Sequence, residues 1–297
     1  MKEEWRRKGR EQGIMPQISI TVLVDNSTLT DRYLLAEPGL SVYLETGGLK
    51  ILFDCGYSDL FIRNAQSLGI NLLDLDYLVF SHGHLDHTWG IAGLIRYFTE
   101  ARIENRVHRI PVVVAHPFSF YPRPKPPHGN IGSMFSEDRL RYHLPVRAVR
   151  SPLWLSEDLV YLGEIERNLD FESADPGKRK IVMPDGREEP DHLLDDSALA
   201  CRTGEGLVIV TGCSHSGICK IISQAQRICG EERILDIIGG LHLLSPPARQ
   251  MAGPLEFLSS TGPGALHACH CTSLPSKIAL SSAVPIHETG VGLRITY

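Results

Sequence analysis

The sequence contains no long apolar run, no internal repeat and no low-complexity segment. A helix that spans a membrane needs about 20 consecutive apolar residues, and the amino terminus also lacks the apolar core of a secretory signal. We therefore expect neither a membrane-spanning segment nor a membrane partner.

An excess of positive charge is also missing. The chain has 30 Lys and Arg against 35 Asp and Glu, which gives a formal net charge of −5, and aromatic residues make up only 7%. Surfaces that bind nucleic acids are usually strongly basic. The sequence therefore predicts no nucleic-acid partner, and its hydrophobic content of 42% is typical of a globular protein.

The cysteines show no spacing that indicates a disulfide framework. There are seven of them, an odd number, in 297 residues. Free and mostly buried thiols are typical of a reducing compartment. We therefore expect a cytoplasmic protein, and the sequence makes no prediction about its oligomeric state.

Histidine, by contrast, is frequent and concentrated. Residues 81–90 read Ser-His-Gly-His-Leu-Asp-His-Thr-Trp-Gly, directly after an apolar, strand-like segment at 77–80. Imidazole and carboxylate groups are the usual ligands of zinc, iron and manganese. In an extended turn His82 and His84 project to the same side, so they can hold one ion, while Asp86 and His87 turn towards a second.

Three later apolar strands also end in turns that contain histidine. These turns carry His215, His242 and His270. In layered α/β folds the turns at the carboxyl ends of the strands converge on the ligand. We predict that His215 and His270 complete the two metal sites, and that His242 contacts the metal or the substrate or only packs.

Two other strand ends carry polar residues. Asp54 follows the strand at 49–53 and would orient a ligand histidine or cap a turn. Asp25 and Asn26 follow the strand at 17–24 and would reach the same pocket or form an Asx turn.

The chain divides into three kinds of segment. Residues 1–16 alternate in charge and are predicted to be a flexible extension, and residues 17–297 are predicted to form a single domain. The stretch 117–133 is rich in proline and glycine, which favours a loop. We predict a lid or insertion over about 117–190.

The His-X-His-X-Asp-His pattern of His82, His84, Asp86 and His87 resembles the signature of the metallo-β-lactamase superfamily. The resemblance covers about residues 17–297. It implies an α/β (α+β) fold, a four-layer αββα sandwich, with two divalent metal ions at one edge. Zinc is the expected ion, with iron or manganese as alternatives. It also implies that His82 and His84 bind the first ion and Asp86 and His87 the second, and that Asp86 orients the activated water.

Several further motifs are similar to one branch of that superfamily. This branch is often named 7,8-dihydropterin-6-yl-methyl-4-(β-D-ribofuranosyl)aminobenzene-5′-phosphate synthase, and many of its members are called only metal-dependent hydrolases. The matching segments are Leu23-Val24-Asp25-Asn26, Phe53-Asp54-Cys55-Gly56, Thr211-Gly212-Cys213-Ser214-His215-Ser216-Gly217, Gly239-Gly240-Leu241-His242-Leu243 and His270-Cys271-Thr272.

The sequence departs from the superfamily pattern at the ligand that bridges the two ions. Most members carry an aspartate in a Gly-Asp pair after a late strand, but Gly212-Cys213 stands in that place here. Cys213 would bind metal as a thiolate, or Asp195 or Asp196 would approach from the preceding turn, or the bridge is absent. Most members also have a ligand histidine before that strand. Only His192 is available there, and we favour His215.

Three functions remain open from the sequence. The first is a hydrolase that uses a metal-activated water on an ester, lactone, thioester or phosphoester of a small molecule, with or without a phosphate group. The second is a dihydropterin-diphosphate-dependent transferase whose ions bind the diphosphate leaving group, with basic residues of the insertion gripping phosphates. The third is a non-catalytic binding or sensing protein on the same fold. The candidate phosphate-gripping residues are Arg123, Lys125, Arg139 and Arg141.

Overall fold

The computed structural model describes residues 17–172 and 177–297. The predicted flexible extension at 1–16 lies outside the described residues. The strands are β1 (Ile18–Val24), β2 (Ser41–Thr46), β3 (Leu49–Phe53), β4 (Tyr77–Val79), β5 (Val112–Ala115), β6 (Val146–Ala148), β7 (Leu153–Trp154), β8 (Leu159–Tyr161), β9 (Lys180–Val182), β10 (Glu188–Pro190), β11 (Ala198–Arg202), β12 (Leu207–Thr211), β13 (Ile234–Gly239), β14 (Ala265–Ala268) and β15 (Arg294–Thr296). The α-helices are α1 (Leu60–Ser67), α2 (Leu85–Thr88), α3 (Ile91–Ile103), α4 (Glu137–Arg141), α5 (Ile218–Cys229), α6 (Ala248–Thr261) and α7 (Leu274–Leu280).

Two large sheets organise these elements. The first has seven strands in the order β15-β1-β2-β3-β4-β5-β6, and the second has six in the order β14-β13-β12-β11-β8-β7. Strands β2 and β3 form a hairpin, in which Thr46 pairs with Leu49. The two-residue turn is Gly47-Gly48, and both residues have positive φ, as a type I′ hairpin turn requires.

Three apolar cores separate four layers. Between the sheets, Val42 and Phe53 of the first pack in one cluster with Val208 of the second. A second cluster covers the outer face of the first sheet with α1 and α3, and a third covers the second sheet with α5, α6 and α7. These layers confirm the predicted αββα sandwich.

Helix α5 shows how the sequence specifies an outer layer. Its Ile218, Ile221, Ile222 and Ala225 recur at the spacing of one helical face and are buried. Gly230 ends the helix in the left-handed conformation, with φ of 64°, which is the usual role of a glycine at this position.

The strand directions place the carboxyl ends of several strands at one edge. Strands β3, β4 and β5 run parallel to one another, and so do β12, β13 and β14. Strand β1 is antiparallel to β2, which is antiparallel to β3, so β1 and β3 share a direction. The turns that follow β1, β3, β4, β12, β13 and β14 carry the residues that the sequence predicts for the site, apart from Asp195 and Asp196, which precede β11.

The range 117–190, predicted as a lid or insertion, is divided by the structure. Strand β6 belongs to the first sheet, and β7 and β8 belong to the second. Strands β9 and β10 form a separate two-stranded sheet. In this range, then, the segments between β5 and β6 and between β8 and β11 lie outside the large sheets. Among the described helices, none is long and apolar enough to cross a membrane.

Candidate metal centre

The first group of donor atoms comes from the His-rich turn after β4 and from the turn after β12. The Nδ1 atom of His84 lies 3.0 Å from Nε2 of His82 and 3.2 Å from Nε2 of His215. Two nitrogen ligands on one tetrahedral zinc ion, each bonded at about 2.0–2.1 Å, lie roughly 3.3 Å apart. The three imidazoles therefore have the spacing that a single ion needs.

A second group of donors lies beside the first. Oδ2 of Asp86 is 3.4 Å from Nε2 of His270 and 3.9 Å from Nε2 of His87. The rings of His82 and His87, one from each group, have centroids 4.2 Å apart. The structure thus brings together the six residues predicted as ligands, in the two sets of three that the sequence suggested.

Asp54 supports a histidine in each group. Its Oδ2 accepts a hydrogen bond from Nδ1 of His87 at 2.7 Å and another from Oγ of Ser81 at 2.6 Å. Ser81 Oγ in turn lies 2.9 Å from Nδ1 of His82. Because these contacts hold both Nδ1 atoms on the far side of the rings, the Nε2 atoms of His82 and His87 face the centre.

Asp25 and Asn26 support His270 in the same way. Asp25 accepts a hydrogen bond from the backbone N–H of His270 at 2.8 Å, and Oδ1 of Asn26 lies 3.2 Å from its Nδ1. Asn26 also donates to the His270 carbonyl at 3.1 Å. These contacts fix the ring so that Nε2 faces Asp86.

Four of the converging turns contain a non-glycine residue in the left-handed region. The φ angles are 57° at Asp54, 55° at Ser214, 50° at His242 and 52° at His270. Such conformations are uncommon outside glycine and cluster at functional sites. Each one bends the chain sharply at a strand end, so that a side chain or its neighbour faces the centre.

The pKa values indicate three neutral imidazoles in the first group of donors. Burial lowers the pKa of His82 and His215, and it lowers that of His84 to about 3. These three rings are therefore neutral at physiological pH, which is the form that binds metal.

The second group has a different charge balance. Burial alone would lower the pKa of His87, but the carboxylates of Asp54 and Asp86 raise it to about 9. Burial would raise the pKa of Asp86, but His87 and His270 outweigh this effect and hold it below its usual value. Asp86 therefore offers an ionised carboxylate, whereas His87 is protonated at neutral pH and would have to lose a proton before its Nε2 could bind a metal.

The two aspartates considered as bridging ligands have other contacts. Asp195 accepts hydrogen bonds from the backbone N–H of Gly83 at 2.8 Å and from Arg123 at 2.7 Å. Asp196 accepts from the backbone N–H groups of His215 and Ser216 at 3.0 and 2.9 Å. Both residues therefore support the turns that carry the candidate ligands. Among the described residues, neither belongs to a group of converging donors.

Cys213 lies in the centre of the cluster, and its Sγ is 3.2 Å from Nε2 of His87. A second thiol, Cys271, was not predicted as a site residue. Its Sγ donates to the Cys213 carbonyl at 3.7 Å and accepts from the His242 backbone N–H at 3.2 Å. The only sequence signal for Cys271 is its position next to His270.

The structure corrects the interpretation of Arg123 as a phosphate-gripping residue. Its guanidinium is 1% exposed and donates to Asp191 at 2.8 Å and Asp195 at 2.7 Å. Arg141 pairs with Glu137 on the same helix. Arg123 is therefore a structural cation behind the His-rich turn.

A small cavity of about 50 Å³ adjoins the donor cluster. His215 and His242 form one wall, with ring centroids 4.2 Å apart, and Glu172, Leu243 and Gln250 form others. His242 is exposed, so it stands at the entrance beside the first group of donors.

We predict that Asp54→Asn weakens metal binding by about 10–100-fold, the usual cost of losing a group that orients ligands. Asparagine keeps the size and tolerates the left-handed backbone, but its NH2 group replaces one of the two carboxylate oxygens, so it cannot accept all three hydrogen bonds from the Ser81 N–H, the Ser81 hydroxyl and His87. Isothermal titration with zinc measures the effect. Asp59→Asn is the matched control, since Asp59 forms an exposed ion pair with Arg96 away from the donor groups. Equal affinities in wild type and Asp54→Asn would contradict the assignment.

Comparison with known proteins agrees with this geometry. The family model described as the metallo-beta-lactamase superfamily matches residues 35–212, more than half of the chain. The chain therefore belongs to the metallo-beta-lactamase superfamily, whose fold implies binding of divalent metal ions.

Individual relatives span nearly the whole chain. One is the 7,8-dihydropterin-6-methyl-4-(beta-D-ribofuranosyl)-aminobenzene-5'-phosphate synthase of Methanocaldococcus jannaschii, 28% identical over 277 residues, which are 89% of this chain and 91% of the relative. A solved structure described as a metal-dependent hydrolase of the beta-lactamase superfamily has a TM-score of 0.76 and 26% identity, covering 94% of this chain and 98% of that one. The metallo-beta-lactamase fold protein YhfI from Bacillus subtilis shares the fold, with a TM-score of 0.54 and 12% identity over 95% of this chain and 100% of that one.

Proposed function

We propose that this protein is a metal-dependent hydrolase that adds water to an ester, lactone, thioester or phosphoester of a small molecule. The observation that carries the proposal is the pair of adjacent donor groups, His82, His84 and His215 beside Asp86, His87 and His270. Two divalent ions, with zinc expected and iron or manganese as alternatives, would be held there. When bound, such ions lower the pKa of water and polarise the group under attack.

The surrounding residues would bind and orient. The exposed ring of His242 stands where a substrate would enter the cavity, and it lies against His215. The carboxylate of Asp86 is partly exposed at the centre and would accept a hydrogen bond that orients the attacking water. The buried Asp54 network keeps the metal-binding nitrogens in place while the substrate changes.

A second candidate is transfer of a dihydropterin group from its diphosphate to an aromatic acceptor. The synthase from M. jannaschii favours this reading because its similarity extends over most of both chains. In that reaction the amine nitrogen of the acceptor would form the new bond to the pterin methylene and lose a proton, and diphosphate would leave from the same carbon. The same donor groups would hold ions that bind the diphosphate.

A product assay separates the candidates. The zinc-loaded protein is offered a phosphodiester, a lactone and a thioester in heavy-oxygen water, and separately a dihydropterin diphosphate with and without an aromatic amine acceptor. A hydrolase incorporates heavy oxygen into the product, whereas a transferase releases diphosphate only when the acceptor is present. Tight binding of these compounds without any turnover would contradict both readings and support a binding protein. His84→Ala serves as the inactive control for each substrate.

A further inference from the structure

The sulfur atom of Cys213 lies between the two groups of donors. Within the described residues, it is the one atom that recurs in three sets of converging donors: with His82 and His87, with His215 and His242, and with His270 and Cys271. In each set the ligand atoms lie within 4.8 Å of one another. His82 and His215 belong to the first metal group, and His87 and His270 belong to the second. One atom therefore reaches both proposed metal positions.

We propose that the Cys213 thiolate bridges the two metal ions, in the place that a carboxylate takes in most members of the superfamily. This inference rests on the proposed metal dependence but not on any particular reaction. When the ions bind, the thiol loses its proton to solvent, and the sulfur forms one bond to each ion.

The distances around Cys213 suit a sulfur ligand. Its Sγ lies 3.2 Å from Nε2 of His87. A sulfur at about 2.3 Å and a nitrogen at about 2.0–2.1 Å on one tetrahedral zinc ion lie roughly 3.5 Å apart. The observed separation is within a few tenths of an ångström of that value, and Cys213 is only 4% exposed, so little rearrangement is needed.

Neither of the two aspartates considered as a bridging ligand competes with Cys213. Asp195 and Asp196 are bonded to Arg123 and to backbone N–H groups, facing the turns rather than the donors. Cys271 is the other nearby thiol, but its sulfur contacts the His242 N–H and the Cys213 carbonyl. Cys213 is therefore the bridging candidate, and Cys271 helps to hold its turn.

A sulfur bridge changes which metals the centre accepts. Thiolate is a soft ligand that favours zinc or iron, whereas a carboxylate bridge also suits harder ions such as manganese and magnesium. We therefore expect a centre more selective for zinc or iron than its carboxylate-bridged relatives.

Cobalt(II) titration tests the bridge directly. The protein is stripped of metal with a chelator and titrated with cobalt(II) while its near-ultraviolet spectrum is recorded. Wild type should show a sulfur-to-cobalt charge-transfer band that grows through both equivalents. Cys213→Ser should lose the band, whereas Cys271→Ser and Cys229→Ser, the latter on the remote end of α5, should keep it.

A second variant, Cys213→Asp, shows whether the loss of the band in Cys213→Ser reflects only a folding defect. It should bind two equivalents of cobalt without the charge-transfer band, because a carboxylate restores a bridge that contains no sulfur. A band that persists in Cys213→Ser, or one that grows with a single equivalent only, would overturn the bridging assignment. A wild type that binds no cobalt would overturn the metal centre as well. A wild type with the full band but no turnover would leave the bridge intact and refute the hydrolase.

Discussion

Replacing His84 by alanine is expected to remove bound metal and catalytic activity together. His84 supplies the Nδ1 that lies within 3.2 Å of both other donors of the first group. Losing a direct ligand should cost more than the 10–100-fold typical of a group one step removed, so we expect at least about a 100-fold loss of activity. Elemental analysis of the purified variant and its rate on the substrate found for wild type measure the two effects.

The matched control is His192→Ala. His192 is exposed and stands outside the converging donors, so its variant should keep both metal and rate. Full turnover by a His84→Ala protein without metal would show that the reaction does not depend on this centre. Loss of metal from His192→Ala would indicate instead that the assignment of ligands is wrong.

Arg123→Met is expected to destabilise the fold by about 3–5 kcal/mol, the usual cost of breaking a buried ion pair from one side. The variant would leave the carboxylates of Asp191 and Asp195 buried without their cation. Asp195 also holds the Gly83 N–H between two ligand histidines, so the damage extends to metal binding. Urea unfolding of wild type and variant, both free of metal, measures the difference in free energy.

The pH dependence gives this prediction a second readout. Burial raises the pKa of Asp195, but Arg123 outweighs it and holds the value below normal. A carboxyl group whose pKa is lowered by folding stabilises the protein at pH values above its unfolded-state pKa. This stabilisation is lost as the pH falls through the folded-state pKa. In the variant the unpaired carboxyl takes up a proton at mildly acidic pH, so the deficit should shrink there. Arg141→Met, which breaks an exposed pair with Glu137, should cost about 0–1 kcal/mol. A similar loss in both variants would contradict the structural role of Arg123.

Local sequence patterns indicate much of the fold. The Gly47-Gly48 pair of the β2–β3 hairpin is a local signal in the sequence, and so is the apolar stripe of α5. Helix α6 was not foreseen, because Gly253 and Pro254 lie inside it and usually argue against a helix. The glycine is required by tertiary packing, since a side chain at Gly253 would collide with the ring of Phe171.

The placement of the six candidate ligands also followed from local sequence, because each one stands directly after an apolar strand. The positions of the residues that support these ligand-bearing turns did not follow from local sequence. Arg123 comes from a proline-rich segment, and nothing in its sequence context shows that it crosses the molecule to meet Asp191 and Asp195. The contact of Cys271 with the Cys213 turn likewise depends on the pairing of strands distant in sequence.

The left-handed residues at the strand ends have a thermodynamic consequence. A residue in a sparsely populated backbone region costs of order 1–3 kcal/mol, and four of them surround one small volume. The packing of the two sheets offsets this free-energy cost during folding, before any ion binds. Little chain entropy is then left to lose on binding, so affinity should depend mainly on ligand chemistry, and exchange of one ion for another should leave the backbone where it is.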